Sequence, residues 1–197
     1  MKKSFIAIYG ITNLGKTTQV EIIKERCKVE NIPIHIQKYP IYDLEPTGPL
    51  IRQAIKEGNP KKFSAGEIQA LMAKNRFDHN EWIRDHLHFD GGTSSIIAEM
   101  YTGTGIAYGK GDGVHSEYLL ALNKGLVVPD ITILLDGNRF MESVESSHRF
   151  EQDHEKTEAI RQIHLDLAAK NNWHLVNANQ SKAEVHQQIW SLIKPYL

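Results

Sequence analysis

Residues Gly10-Ile11-Thr12-Asn13-Leu14-Gly15-Lys16-Thr17 have the spacing G-x-x-x-x-G-K-[ST], the pattern of a loop that cradles a polyphosphate. Its glycines permit positive φ and leave room for phosphate oxygens beside the backbone. Successive N–H groups then converge on an anion at the positive end of the following helix. Lys16 neutralises the outer phosphates, and the Thr17 hydroxyl is placed to ligate Mg²⁺. The pattern requires a strand before it and a helix after it. Residues 4–9 are a short apolar, β-branched run, and residues 16–30 carry Val20, Ile22, Ile23 and Cys27 at mixed three- and four-residue spacing, so both are expected.

Outward from this loop the pattern alternates. Residues 32–37 read as a second strand, with Pro33 at its start, where a missing N–H does least harm. Residues 47–57 read as a short helix closed by Gly58, and Ser64-Ala65-Gly66-Glu67 has capping-box spacing ahead of a long helix through Met72, Trp82 and Leu87. Three more strands are expected at 94–98, 131–135 and 173–176, with a helix to about 170 and a last one opened by Ser181-Lys182-Ala183-Glu184. Strands separated by helices force parallel crossovers. The expected fold is therefore three-layer α/β with a five-stranded parallel sheet, a single domain over 1–197, and a short charged lid near 138–153.

Composition narrows the function. The 197 residues (22.4 kDa) hold 41% hydrophobic and 24% charged residues, with 23 Lys+Arg against 24 Asp+Glu. A net charge of −1 argues against a binder of nucleic acid polymers, which carries a basic excess, so phosphate chemistry must come from a focused site. One cysteine, Cys27, excludes an internal disulfide and fits a reducing cytoplasm. The longest apolar runs are far too short to span a membrane. His86 and His88 would project to different sides of a helix, which favours solvated or capping roles over a metal pair.

Nearly end to end, the chain resembles the thymidylate kinase family, nucleoside monophosphate kinases that move the ATP γ-phosphate onto dTMP. Beyond the first loop, Tyr39-Pro40, Thr47-Gly48-Pro49-Leu50-Ile51-Arg52 and Met72-Ala73-Lys74-Asn75-Arg76-Phe77 are similar to family segments in order and spacing. So are Glu99-Met100-Tyr101, Ala107-Tyr108, Pro129 to Asp136, His148-Arg149-Phe150-Glu151 and Asn177-Ala178-Asn179-Gln180. The resemblance implies ATP contacts from Gly10, Asn13, Leu14, Gly15, Lys16, Thr17 and Thr18, and from Arg139, Ala178 and Gln180. It places the acceptor against Thr12, Tyr39, Tyr42, Arg52 and Met72, and against Arg76, Gly105, Tyr108 and Gly109. Met72 would cover the base, Arg76 would hydrogen-bond to it, Tyr42 would approach the acceptor phosphate, and Tyr108 would wall the sugar at its 2′ position. Lys16, Glu99 and Arg149 would carry catalysis, with Thr17 and Glu99 holding Mg²⁺. It also implies a homodimer through helix packing.

Several positions depart from the family. Thr12 stands where a loop aspartate is usual, and Met72 where a phenylalanine stacks. Glu99-Met100 replaces Asp-Arg, which removes an arginine directed at the transferring phosphates. Asn13 stands where some members carry a loop arginine, so the chain resembles the bacterial type that supplies this cation from the lid, through Arg149 with Arg139 second. Residues 103–113 are rich in glycine and read either as a loop shaped around the acceptor or as flexible chain. The leading expectation is ATP plus dTMP to ADP plus dTDP. The alternatives are a kinase for another deoxynucleotide or a deoxynucleoside, or a nucleotide-binding protein with weak catalysis.

Overall fold

A computed structural model describes residues 3–88, 94–140 and 154–197. Five strands, β1 (Phe5–Tyr9), β2 (Ile34–Lys38), β3 (Ser95–Glu99), β4 (Ile131–Asp136) and β5 (His174–Asn177), form one parallel sheet in the order β2-β3-β1-β4-β5. Central β1 is buried along its whole length, as expected of a parallel strand covered on both faces, where an unbroken apolar run replaces alternation.

The seven α-helices are α1 (Lys16–Val29), α2 (Thr47–Lys56), α3 (Ala65–His88), α4 (Thr102–Gly111), α5 (Ser116–Leu122), α6 (His154–Asn171) and α7 (Lys182–Ile193). Side chains of β1 divide by the two-residue period of a strand. Ile6 and Ile8 pack with Val20, Ile23 and Cys27 of α1 and Ile189 and Trp190 of α7. Phe5, Ala7 and Tyr9 pack with Ile83 of α3 and Ala168 of α6. The capping box expected at Ser181 and Glu184 is formed. Ser64 and Glu67 exchange the same pair of bonds ahead of α3. No helix among the described residues is long and apolar enough to cross a membrane. Cys27 is a buried free thiol, and burial pushes its pKa up to about 11, away from reactivity.

Residues 103–113 require a correction. They are not a loop: α4 runs from Thr102 to Gly111, and α5 follows. The glycines serve close packing. A Cβ at Gly103 would stand 2.5 Å from Trp173 and 2.7 Å from Tyr9, and one at Gly111 would stand 2.4 Å from Ile160. Gly109 is likewise filled by Leu119, whose side chain lies 2.5 Å from where its Cβ would be. The bare faces of α4 let α6, α5 and the sheet approach it. The expected lid lies, from residue 141 onward, outside the described residues.

Two expectations follow from the packing. If Gly103 were merely flexible, Gly103→Ala would stabilise by about 1 kcal/mol through helix propensity. Against two buried aromatic rings it will instead destabilise by roughly 1–3 kcal/mol, read as a lower urea midpoint. Buried His164 hydrogen-bonds the Ile160 carbonyl at 2.9 Å, and burial holds its pKa down to about 4. An imidazole kept neutral in the fold gives stability that is full above about pH 6.5 and is lost as pH falls toward 4. An NMR titration of the folded protein will find His164 neutral down to about pH 4; titration near 6.5 would show that it is not so enclosed.

Candidate active site

In an open parallel sheet the ligand site lies beyond the carboxyl ends of the strands. Here a cavity of about 1050 Å³ occupies that edge, at the upper end of small-molecule sites. The loop after β1 forms its floor. Asn13 (φ 61°) and Gly15 (φ 76°) both adopt left-handed conformations, which turn successive amides inward. Gly10 stands at φ 146°, where a Cβ would lie 2.7 Å from the Leu135 carbonyl; that close approach, and no lining role, accounts for it.

Lys16 is buried, its Nζ donating to the Ile11 carbonyl at 2.6 Å across the empty loop. Asn13, Leu14, Gly15, Thr17, Thr18, Ala178 and Gln180 line the same cavity, as does Arg139, which donates to Thr157 at 3.2 Å. Phe140 N–H donates to the Asn13 carbonyl at 2.9 Å, fastening the segment after β4 to the phosphate loop. All expected ATP-side residues except Gly10 thus converge. Arg149 lies outside the described residues.

Thr17 Oγ1 donates to Glu99 Oε1 at 2.7 Å, and Glu99 is only 3% exposed. This is one hydroxyl and one carboxylate, both hard oxygen donors. No group of three or more His, Cys, Asp or Glu that could hold a metal occurs among the described residues. So sparse a set fits Mg²⁺, which keeps several waters and takes its remaining ligands from phosphates. A third residue joins them. Lys38, at the end of β2, approaches Glu99 Oε1 at 2.9 Å and donates to Thr17 Oγ1 at 3.0 Å.

On the other side, Met72 and Arg76 project together from α3 into the cavity with Thr104, Gly105 and Tyr108 of α4. Arg76 is 4% exposed, and its Nε and Nη2 have no hydrogen-bond partner among the described residues. Burial draws its pKa down to about 10, against the opposing influence of Tyr101, Tyr9 and Tyr39. The hydroxyls of Thr12 and Thr104 are also buried without partners. Tyr108 accepts from the Thr12 N–H at 3.0 Å, tying α4 to the phosphate loop. Tyr39 and Tyr42 line the entrance, held by Asn75, which brackets Ile41 through bonds of 2.8 and 2.9 Å.

Two expected acceptor residues are not brought in. Arg52 does not line the cavity; it pairs with exposed Asp43 at 3.1 Å and lies over the Tyr42 ring. Gly109 faces Leu119 and Gln69 instead. Conversely, Lys38 and Thr104 escaped the sequence reading. Thr104 is four residues before Tyr108, a helical repeat hidden while its segment read as a loop.

The family model for thymidylate kinase matches residues 8–189. This chain belongs to the thymidylate kinase family. A probable thymidylate kinase of Sulfolobus acidocaldarius is 30% identical over 199 residues, covering 98% of this chain and 97% of that protein. The thymidylate kinase of Dictyostelium discoideum is 27% identical over 195 residues, covering 95% and 83%. In structure, the thymidylate kinase of Candida albicans superposes with a TM-score of 0.84 at 23% identity, covering 98% of this chain and 92% of that one, which shows the shared fold. The chain is therefore a nucleoside monophosphate kinase with ATP as phosphate donor.

Gly105 tests how the family's acceptor side is built here. A Cβ there would stand 2.8 Å from Arg76 Nη2, so Gly105→Ala will displace the guanidinium. We expect KM for the acceptor to rise roughly tenfold, the worth of one charged hydrogen bond, with KM for ATP unchanged. Arg76→Ala will do the same and will weaken discrimination among bases. Equal losses on the ATP side would show that Arg76 serves the fold alone.

Proposed function

We propose that this chain transfers the ATP γ-phosphate to dTMP, giving ADP and dTDP, with Mg²⁺ as its cofactor. The supporting observation is Arg76, a buried guanidinium whose Nε and Nη2 meet no protein acceptor among the described residues beside the thioether of Met72 and the hydroxyl of Thr104. Burying an unpaired charge is costly, and a flat base with a carbonyl edge would supply the missing acceptor. Tyr108, tied to the phosphate loop, would close the sugar side and exclude a 2′-hydroxyl.

On the donor side the amides of residues 13–17 hold the outer phosphates, and Lys16 leaves the Ile11 carbonyl to neutralise them. Thr17 and Glu99 would hold Mg²⁺, which supplies charge neutralisation between the outer phosphates. Arg139 stands at the start of the segment that carries Arg149, and Arg149 would bring the lid cation to the charge that develops as ADP leaves. Glu99 is already bonded to Thr17, so the chain offers no spare carboxylate there to act as base on a bare hydroxyl. This favours a monophosphate acceptor over a nucleoside. Family resemblance further supports a cytoplasmic homodimer.

A panel of deoxynucleosides and their monophosphates, assayed for ADP release, tests the reading. Turnover should be restricted to dTMP or strongly favour it. Preferred phosphorylation of an unphosphorylated nucleoside, or ATP binding with no transfer to any acceptor, would overturn it. Lys16→Ala should lower kcat by about a thousandfold or more in a folded protein, as expected for loss of a phosphate clamp.

A further inference from the structure

Strand pairing places Lys38 of β2 directly opposite Glu99 of β3. Their proximity is thus set by sheet register, and Tyr39 N–H donating to the Glu99 carbonyl at 2.9 Å fixes it further. The Lys38 ammonium bridges Glu99 Oε1 and Thr17 Oγ1 at 2.9 and 3.0 Å. These are the two oxygens read above as the metal's protein ligands. The partners differ in mobility. The Glu99 side chain is 4% exposed and held on a strand end, whereas that of Lys38 is 53% exposed, so its stem can swing into solvent at little cost. A buried carboxylate needs a cation beside it, and Lys38 is the only basic side chain that the structure pairs with Glu99 among the described residues.

We propose that Lys38 is a tethered, exchangeable cation: it neutralises Glu99 and holds Thr17 in place while the site is empty, and a divalent metal must displace it. The inference rests on the reading of Thr17 and Glu99 as metal ligands. A consequence is that the nucleotide-free protein resists divalent cations, because binding one first breaks two charge-assisted contacts. Metal then enters chiefly together with the phosphates, whose negative charge both tightens its binding and draws the released ammonium toward the donor. The basic group that Met100 does not carry is in this way partly replaced from the neighbouring strand.

The test is Mn²⁺ binding to the full chain without nucleotide, followed by electron paramagnetic resonance. Lys38→Met should tighten Mn²⁺ at least about tenfold, the worth of one charge-assisted bond, with an unchanged circular dichroism spectrum because Lys38 is half exposed. Lys38→Arg, which keeps the charge, should stay within about threefold of the parent. Lys56→Met removes a cation from the same cavity but not from this pair, and should leave Mn²⁺ within about twofold; both margins are well below one charge-assisted bond. Unchanged affinity in Lys38→Met, or equal tightening in Lys38→Arg or Lys56→Met, would overturn the proposal. Glu99→Gln separates the two levels. If it leaves Mn²⁺ binding intact, the metal reading itself fails. If it weakens binding while Lys38→Met changes nothing, only the role of Lys38 fails.

Discussion

The parallel register of β1 between β3 and β4 is the constraint on which the rest of the molecule depends. Ile8 lies opposite Glu99 on one side and Ile133 on the other, so the strand ends finish at one level. The phosphate loop, the acidic residue and the start of the lid segment leave from that level together. A one-residue slip would reverse every side chain's face, sending Ile6 and Ile8 out of the core and turning Glu99 away from Thr17. The buried apolar β1 thus fixes both stability and catalytic geometry. Separating the two by mutation within the strand is not possible.

Much of this was legible in the sequence because the signals were local. The phosphate loop, its flanking strand and helix, and the capping box at Ser181 each depend on a few adjacent residues, and each was found within a residue or two of its place. Glycine in 103–113 misled because its local meaning, chain freedom, is opposite to its tertiary meaning. At Gly103 the missing side chain makes room for Trp173 and Tyr9, and at Gly111 for Ile160. The partners lie tens of residues away, and nothing in the segment names them. The packing gained outweighs the propensity of about 1 kcal/mol that each helical glycine forfeits. Lys38 was missed for a related reason. Its significance comes from standing across from Glu99, and strand register is not written in either strand alone.

The cavity gathers positive charge in unequal states. Lys16 rests on a backbone carbonyl, Lys38 on a carboxylate, Arg139 near a threonine hydroxyl, and Arg76 on nothing at its Nε and Nη2. Two polyanions brought together repel each other, and a protein that held all its cations in strong ion pairs would have to break them at each turnover. Weak resting partners at Lys16 and Arg139 keep that cost low. The stronger pairs lie outside the cavity lining, as in the bidentate Arg161–Asp136 pair at 2.7 and 2.9 Å that fixes α6 to β4.

Arg76 shows how far the site is embedded in the core. Its charge is surrounded by Tyr9, Tyr39 and Tyr101, and these rings belong to the second hydrophobic cluster, with Tyr101 edge-on to Phe5 at 5.1 Å and Tyr9 against Trp173 at 4.8 Å. The ring faces offer an electron-rich surround that lessens the desolvation of the guanidinium without occupying its donors. A carboxylate in the same place would stabilise the empty protein more, but it would take up the donors that the base needs. An aromatic cage is therefore the arrangement that lets a buried arginine remain charged and still available. It also ties acceptor recognition to packing: altering Gly105 or the tyrosines moves Arg76, and base selectivity changes with the core.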